Sequence, residues 1–323
     1  MVGRESNIVI VKLSSLGDIV HALQAVSILE RVGGFKVKWL VKRTYLPLFE
    51  GIDFIEPVVP DFSNLISLRR GFKFRFGLDL QGLIKSAILL YFVSPDLRIG
   101  FSFNEVREKL AVLLYNVRVD TSDRRHVVEK LRKLITEALG IADDGVYDPL
   151  IRIRKEELEK TFSFVPDKNF ILITPSSSWE SKRLKLSWVT ELVRRIEENK
   201  RVNKKVYILP GIEDSERYIN SELRDRTIPS LTLRESIALV SRASAIISPD
   251  TGFLHIASAF GVPVVGIYGP SDPVRNGPFN TRYRLVFTSC TNIGCGKRNC
   301  SACSSMVPVD RVVSSLADLL LNP

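Results

Sequence analysis

One run of the sequence, residues 245–273 (AIISPDTGFLHIASAFGVPVVGIYGPSDP), leaves a chain like this little choice of fold. The apolar segment 245–248 has the length and branched content of a buried parallel strand, and Pro249 breaks it. Asp250, Thr251 and Gly252 open a helix over 253–260. Gly261 and Pro263 stop that helix, and 264–268 is a second buried strand. Strand, helix and strand in this order form one unit of a parallel α/β sheet. Its polar residues fall at the carboxyl end of the first strand, where such sheets bind ligands.

The residue types there suit an anion. Thr251 and Gly252 place backbone N–H groups at a helix N-terminus, a seat for phosphate. His255, four residues after Thr251, projects from the same face. Taken alone, Asp250 reads as a helix cap and His255 as a half-buried histidine. Taken together, and followed by Gly269-Pro270-Ser271-Asp272-Pro273, they make a ligand site. The D-T-G triplet also occurs in aspartic proteases, but those need two carboxylates sharing a proton, and this chain has a single D-T-G.

Length then sets the scale. A chain of 323 residues with 45% hydrophobic and 25% charged residues is globular and suits two domains, each with its own core. The polar opening residues 1–7 are no signal peptide. The longest apolar run, 87–93, is too short to span a bilayer, so the chain is expected to be cytoplasmic. A net charge of +10 and a pI near 9.5 call for an anionic partner. The charge is dense locally: residues 62–78 hold no acid, while Arg69, Arg70, Lys73 and Arg75 alternate with Phe72, Phe74 and Phe76. As a loop, that composition suits a phosphate-bearing amphiphile or a membrane surface, and equally single-stranded nucleic acid.

In the first half, 8–12 is a buried strand. The turn Leu13-Ser14-Ser15-Leu16-Gly17-Asp18 leads into an amphipathic helix ending near Gly33 and Gly34. One glycine stands where the dinucleotide fingerprint needs three, so an NAD-linked oxidoreductase is not supported. Asp18 is either a helix cap or a general base pointing into a cleft. Further strands at 37–41, 52–58 and 77–80 alternate with helices at 83–93, 104–115 and 126–139. In the second half, a linker at 143–149 precedes a helix at 155–162, a strand at 170–174 and the turn Pro175-Ser176-Ser177-Ser178. Lys182 follows, then a helix from 187 and a strand at 206–209. The acids Glu213, Asp214 and Glu216 come next, then a strand at 227–229 and a helix at 233–241. The alternation specifies two doubly wound parallel-sheet α/β domains with a ligand held in the cleft between them.

The segments KLSSLGDIVH (12–21), SPDTGFLH (248–255) and YGPSDP (268–273) together resemble the ADP-heptose:lipopolysaccharide heptosyltransferases, glycosyltransferase family 9. DLQGLIKSA (79–87) and LLYNVR (113–118) resemble heptosyltransferase I in particular. The resemblance runs through nearly the whole chain. It implies the GT-B fold, with two Rossmann-like domains facing across a cleft, and inverting transfer of heptose from ADP-L-glycero-D-manno-heptose to Kdo-lipid A. The implied division is an acceptor domain at 1–150 and an ADP-sugar domain at 151–309, with a C-terminal helix at about 310–323 as a candidate to pack back on the first. By the same resemblance Asp18 is the base, and Lys182 binds the diphosphate and offsets charge on departing ADP. Asp250, Thr251, Gly252 and His255 form the donor motif. Ser177 and Ser178 lie against the phosphates, Leu231 touches adenine, and Glu213 or Asp214 meets the ribose. A lysine and a helix terminus then stand in for a metal, so no cofactor is required for catalysis.

On the acceptor side the resemblance implies Ser15, Gly17, Gln81, Lys85 and Arg118, with Arg69, Arg70 and Lys73 in a basic loop. Arginine forks suit the carboxylates of Kdo and the phosphates of lipid A. The enzyme would work peripherally on the inner face of the inner membrane, with no nucleic-acid partner, since nucleic-acid motifs are missing and such binding would leave Asp18 and His255 unused. Cys290, Cys295, Cys300 and Cys303 crowd into fourteen residues (C-x4-C-x4-C-x2-C) and could ligate a structural zinc, stay reduced, or pair as disulfides. The runner-up readings are heptosyltransferase II or another ADP-sugar transferase of the same family and, in a different class, a nucleotide-sugar-binding protein without turnover.

Overall fold

The computed structural model describes residues 6–290, 292–300 and 307–321. The chain divides into two units, Met1–Arg152 and Ile153–Pro323.

The first unit runs β1 (Ser6–Val11), α1 (Leu16–Val26), α2 (Ile28–Val32), β2 (Phe35–Leu40), β3 (Ile55–Val58), α3 (Phe62–Gly71), β4 (Phe76–Asp79), α4 (Ile84–Val93), β5 (Leu97–Phe101), β6 (Val117–Val119) and α5 (Val127–Leu139). Among the described residues its strands form one sheet, all parallel, in the order β3-β2-β1-β4-β5-β6. The run Ile8 to Val11 is fully buried, as a strand covered on both faces must be. The order reverses between β1 and β4, so the ends of those strands open a crevice that helices do not cover.

The second unit runs α6 (Lys155–Thr161), β7 (Phe170–Ile173), α7 (Leu186–Glu198), β8 (Lys205–Ile208), α8 (Ser215–Ile219), α9 (Leu233–Arg242), β9 (Ala245–Pro249), α10 (Gly252–Ala259), β10 (Val264–Tyr268), α11 (Pro273–Asn276), β11 (Tyr283–Phe287) and α12 (Val309–Leu321). Its parallel sheet has the order β11-β10-β9-β7-β8 and reverses between β7 and β9. Each Rossmann-like sheet is thus interleaved with helices in its own unit.

Three expectations need correction. Residues 104–115 are not an α-helix, since only Lys109–Leu114 coil, as a 3-10 segment. Glu108 accepts the Ile84 N–H at 2.7 Å, Lys109 donates to the Phe103 carbonyl at 2.7 Å, and Ala111, Val112 and Tyr115 bury beside Ala87. Those long-range contacts outweigh helix propensity, which is worth only tenths of a kcal/mol per residue. The basic-aromatic stretch, expected as a loop, begins inside α3, which Asp61 caps by accepting the Asn64 N–H at 2.9 Å. The strand at 227–229 shrinks to a single bridge between Ile208 and Thr227. Val312, Leu316 and Leu319 of α12 sink into the core of the second unit, against α7, β10 and β11.

Candidate functional site

The carboxyl ends of β1 and β4 carry the acid of the first unit. Asp18 sits in the opening turn of α1, where its Oδ2 accepts the Ser15 N–H at 3.0 Å and the Ser15 hydroxyl at 2.8 Å. The capping function is therefore real, and it uses one oxygen only. The other, Oδ1, lies 3.6 Å from Lys12 Nζ. Burial pushes the Asp18 carboxyl up. The Lys12 charge and the two Ser15 hydrogen bonds outweigh that and hold it well below the usual carboxylate range. Asp18 is thus ionised at neutral pH with an oxygen on the half-buried rim.

Sequence reasoning missed Lys12, which reads as a charge closing a strand. It is buried, with its ammonium donating to the Leu80 carbonyl at 2.9 Å. Gln81 ties the two strand ends together, its Oε1 accepting the Leu13 N–H at 2.8 Å and its Nε2 donating to the Ser14 carbonyl at 3.1 Å. Gln81 is held in turn by buried Asp79, which accepts the Gln81 N–H at 2.8 Å, the Ser86 hydroxyl at 2.8 Å and the Tyr115 phenol at 2.7 Å. Gly17 is buried in the first turn of α1.

In the second unit, Asp250 follows β9 and joins an ammonium and an imidazole. Its Oδ2 lies 2.6 Å from Lys182 Nζ, which also donates to the Asp250 carbonyl at 3.1 Å. Its Oδ1 lies 2.9 Å from His255 Nε2. Burial raises the Asp250 carboxyl, but His255 and Lys182 together hold it well below the ordinary range. An ionised carboxylate only accepts, so the imidazole donates. Thr251 precedes the first turn of α10, its hydroxyl 3.1 Å from Ser248 Oγ, and Gly252 is the first helical residue. Lys182 also stands 4.4 Å over the Trp179 ring. The helix amides, the ammonium and the imidazole converge at the point where strand order reverses.

Beside them a cavity of about 300 Å³ is lined by Ser177, Ser178, Glu213, Asp214 and Phe253 among others. Asp214 is buried and spoken for: Ser176 donates to its Oδ2 at 2.6 Å, and Arg183 lies 3.4 Å from Oδ1. Glu213 is largely exposed, 3.3 Å from the same arginine. Of the two acids, Glu213 has the oxygen available to a ligand. Arg183 was not singled out from the sequence, and its only signal is that it follows Lys182. Leu231 is half-buried in the loop before α9 and is not among the residues lining this cavity.

Three of the acceptor candidates lie elsewhere. Helix α3 starts from the carboxyl end of β3 and runs back, so Arg69 and Arg70 in its last turn, and Lys73 after it, reach the amino end of β4. With Phe72, Ser94 and Asp96 they line a depression of about 530 Å³ at the opposite end of the sheet from Asp18. Larger than the donor-side cavity, it is nonetheless remote from the proposed chemistry. Arg118 is exposed on edge strand β6, three strands and hence roughly 14 Å from β1. Lys85 is exposed in the first turn of α4, at the same end of the sheet as Asp18.

Cys303 lies outside the described residues. Cys290 is half-buried and Cys295 exposed. Among the described residues no three His, Cys, Asp or Glu side chains stand together to hold a metal. The segment between the cysteines is tied to the donor side by its backbone. Gly294 N–H donates to the Gly269 carbonyl at 2.8 Å and Gly296 N–H to the Pro270 carbonyl at 2.7 Å. Ser181 N–H donates to the Arg298 carbonyl at 3.0 Å, and the Ser181 hydroxyl to the Lys297 carbonyl at 2.7 Å. Ser181 immediately precedes Lys182.

The chain is similar to known heptosyltransferases. Lipopolysaccharide heptosyltransferase 1 of Escherichia coli (strain K12) is 25% identical over 82% of this chain and 88% of its own. That of Pseudomonas aeruginosa (strain PAO1) is 25% identical over 91% and 87%. The structure of E. coli heptosyltransferase WaaC with ADP-2-deoxy-2-fluoro heptose superposes with a TM-score of 0.74 at 20% identity, covering 97% of this chain and 99% of that one. The fold is therefore GT-B. The family model "Glycosyltransferase family 9 (heptosyltransferase)" matches residues 66–305, and the chain belongs to that family of glycosyltransferases.

Proposed function

We propose that this glycosyltransferase moves heptose from ADP-L-glycero-D-manno-heptose to Kdo-lipid A, with inversion at the anomeric carbon. The observation that carries the reading is the Lys182–Asp250–His255 network at the amino end of α10, beside the cavity holding Glu213. The network is a diphosphate seat. Two N–H groups of Lys182 go to Asp250, and the third is directed to a phosphate oxygen. The α10 amides and dipole supply further positive character. The adenosine occupies the cavity, with the ribose on Glu213. The WaaC relative binds an ADP-heptose analogue, which favours the same donor here.

Asp18 Oδ1 takes the proton from the acceptor hydroxyl. The freed oxygen attacks C1 of the heptose as the C1–O bond to the diphosphate breaks, and the electron pair leaves with ADP. Lys182 and the helix terminus offset the charge that develops on the departing group, so the reading assigns catalysis no metal. Gln81 and Lys12 hold the Asp18 turn. Ser15 orients the carboxylate, while Lys85 and Arg118 are within range of a large anionic acceptor. The enzyme acts peripherally at the inner face of the inner membrane.

The test incubates the protein with ADP-heptose and, in separate arms, Kdo-lipid A and heptosyl-Kdo-lipid A, with products read by mass spectrometry. Wild type adds one heptose to the first acceptor. Asp18→Ala lowers the rate on the order of 10²–10⁴-fold, the usual worth of a general base, with ADP affinity by calorimetry unchanged. Product on the second acceptor alone would reassign the enzyme to a heptosyltransferase II type of reaction. ADP-heptose binding without product on either would make it a non-catalytic binder.

A further inference from the structure

Helix α4 and the 3-10 segment Lys109–Leu114 lie side by side: Ala87 of one packs on Ala111, Val112 and Tyr115 of the other. Their buried faces account for those residues, yet their outer faces are also apolar. Ile88 and Tyr91 are 53% and 56% exposed, at i and i+3 on α4. Leu110 and Leu113, at the same spacing on the 3-10 segment, are 65% and 75% exposed. Two contacts register the stripes against each other. Glu108 accepts the Ile84 N–H at one end, and at the other Arg98 donates to the Leu114 carbonyl at 2.9 Å while its guanidinium lies 5.3 Å from the Tyr91 ring. Single exposed leucines are ordinary on a soluble surface, but four large exposed apolar side chains on two adjacent elements are not.

Cations border the patch at both ends, with the exposed carboxylate of Glu108 among them. Lys85 and Lys109 are exposed at the end nearer the carboxyl edge of the sheet, and Arg98 is half-buried beside Tyr91. Beyond the last turn of α4, Val93 and Ser94 also line the depression that holds Arg69, Arg70 and Lys73, so the cationic border is continuous with it. We infer that this α4 face is the surface on which the protein docks to an anionic lipid bilayer, Ile88, Tyr91, Leu110 and Leu113 entering the interface and the cations meeting lipid phosphates. An apolar centre with a basic rim matches the headgroup boundary of such a bilayer. A second copy of the chain fits less well, because an isologous contact would set the cationic rims against each other. The inference rests on the lipid-linked acceptor proposed above, and it gives the three arginine-rich candidates at the amino end of β4 a place: they touch the bilayer and not the reacting sugar.

The test is co-sedimentation of the full chain with vesicles of phosphatidylethanolamine and phosphatidylglycerol, against vesicles of phosphatidylcholine alone. Wild type is expected to bind the anionic vesicles preferentially and to lose most of that binding in about 1 M NaCl, where charges are screened within a few ångströms. The double variant Leu110→Glu/Leu113→Glu, altered only at exposed positions, is expected to bind roughly tenfold or more weakly, since it replaces inserting groups with repelled ones. Its thermal unfolding and its turnover on detergent-dispersed acceptor should match wild type. Failure of wild type to bind anionic vesicles, or equal binding by the variant, overturns the inference. So does a shift from dimer to monomer in the variant by sedimentation velocity without lipid, which would make the face a self-association surface. Vesicle binding without any sugar transfer would instead fail the proposed reaction and leave the docking surface standing.

Discussion

At the scale of single residues, the site depends on which of two opposed effects prevails at each buried carboxylate. Asp18 and Asp250 are both in surroundings that disfavour charge, and both are kept ionised by close partners, Lys12 and Ser15 for the first, His255 and Lys182 for the second. For Asp18 the arrangement has a cost, because a carboxylate stabilised by Lys12 is a weaker base. Removing the cation takes away the strongest effect that lowers it, so Lys12→Met raises the Asp18 pKa. The base is then protonated at higher pH, and the acid limb of kcat/KM moves upward by about one unit or more. A pH–rate profile of the variant checks this, and an unmoved limb would detach Lys12 from the base. Asp18 and Asp250 were singled out in the sequence because each follows a glycine or proline in a turn after a strand, His255 because it stands four residues after Thr251, and Lys182 through the family resemblance. Lys12 and Arg183 were not, since a charge within a strand's last residue or next to another cation has no pattern of its own.

At the scale of elements, strands and most helices were legible from apolar runs and caps. The failures occurred where local pattern and tertiary packing disagree. Helix α3 buries Leu65 and Leu68 but few other side chains, and the alternating Phe72, Phe74 and Phe76 that follow imitate a strand. The helices of the second unit are tied more firmly. α6 and α9 are clamped by Glu157, whose carboxylate takes Arg234 Nε at 2.9 Å and Nη2 at 2.6 Å, and by the Arg154 N–H at 2.8 Å. The Arg234 hydrogen bonds, against the opposing effect of burial, bring Glu157 from 4.5 to about 2. A carboxylate with a depressed folded-state pKa adds stability that is complete above the unfolded value. That stability drains away as pH falls from 4.5 toward about 2. The clamp is worth on the order of 2–3 kcal/mol at neutral pH. Thermal unfolding followed from about pH 7 to pH 3 should show wild type losing more stability than Glu157→Gln below the unfolded pKa of a glutamate. Parallel curves for the two proteins would show that the clamp does not titrate.

At the scale of the molecule, the two units have different strand orders, and each reverses where its chemistry lies: Asp18 at β1 and β4, Asp250 at β7 and β9. The phosphate-side groups and the 300 Å³ cavity are formed within Ile153–Pro323, which has a hydrophobic core of its own. A fragment spanning residues 153–323 is therefore expected to fold and bind ADP with an affinity within about tenfold of the full chain, and to transfer no sugar. Calorimetry decides this, and an absence of ADP binding by a folded fragment would show that the first unit supplies part of the donor seat. Within this unit the Ser181 hydroxyl waits for a carbonyl 116 positions further along the chain. During synthesis Lys182, the proposed partner of the leaving group, is therefore made long before the glycine-bearing strap that holds its turn. A ribosome stalled shortly before Gly294 would hold a chain in which β1 to β11 are all synthesised but the proposed phosphate seat lacks its strap.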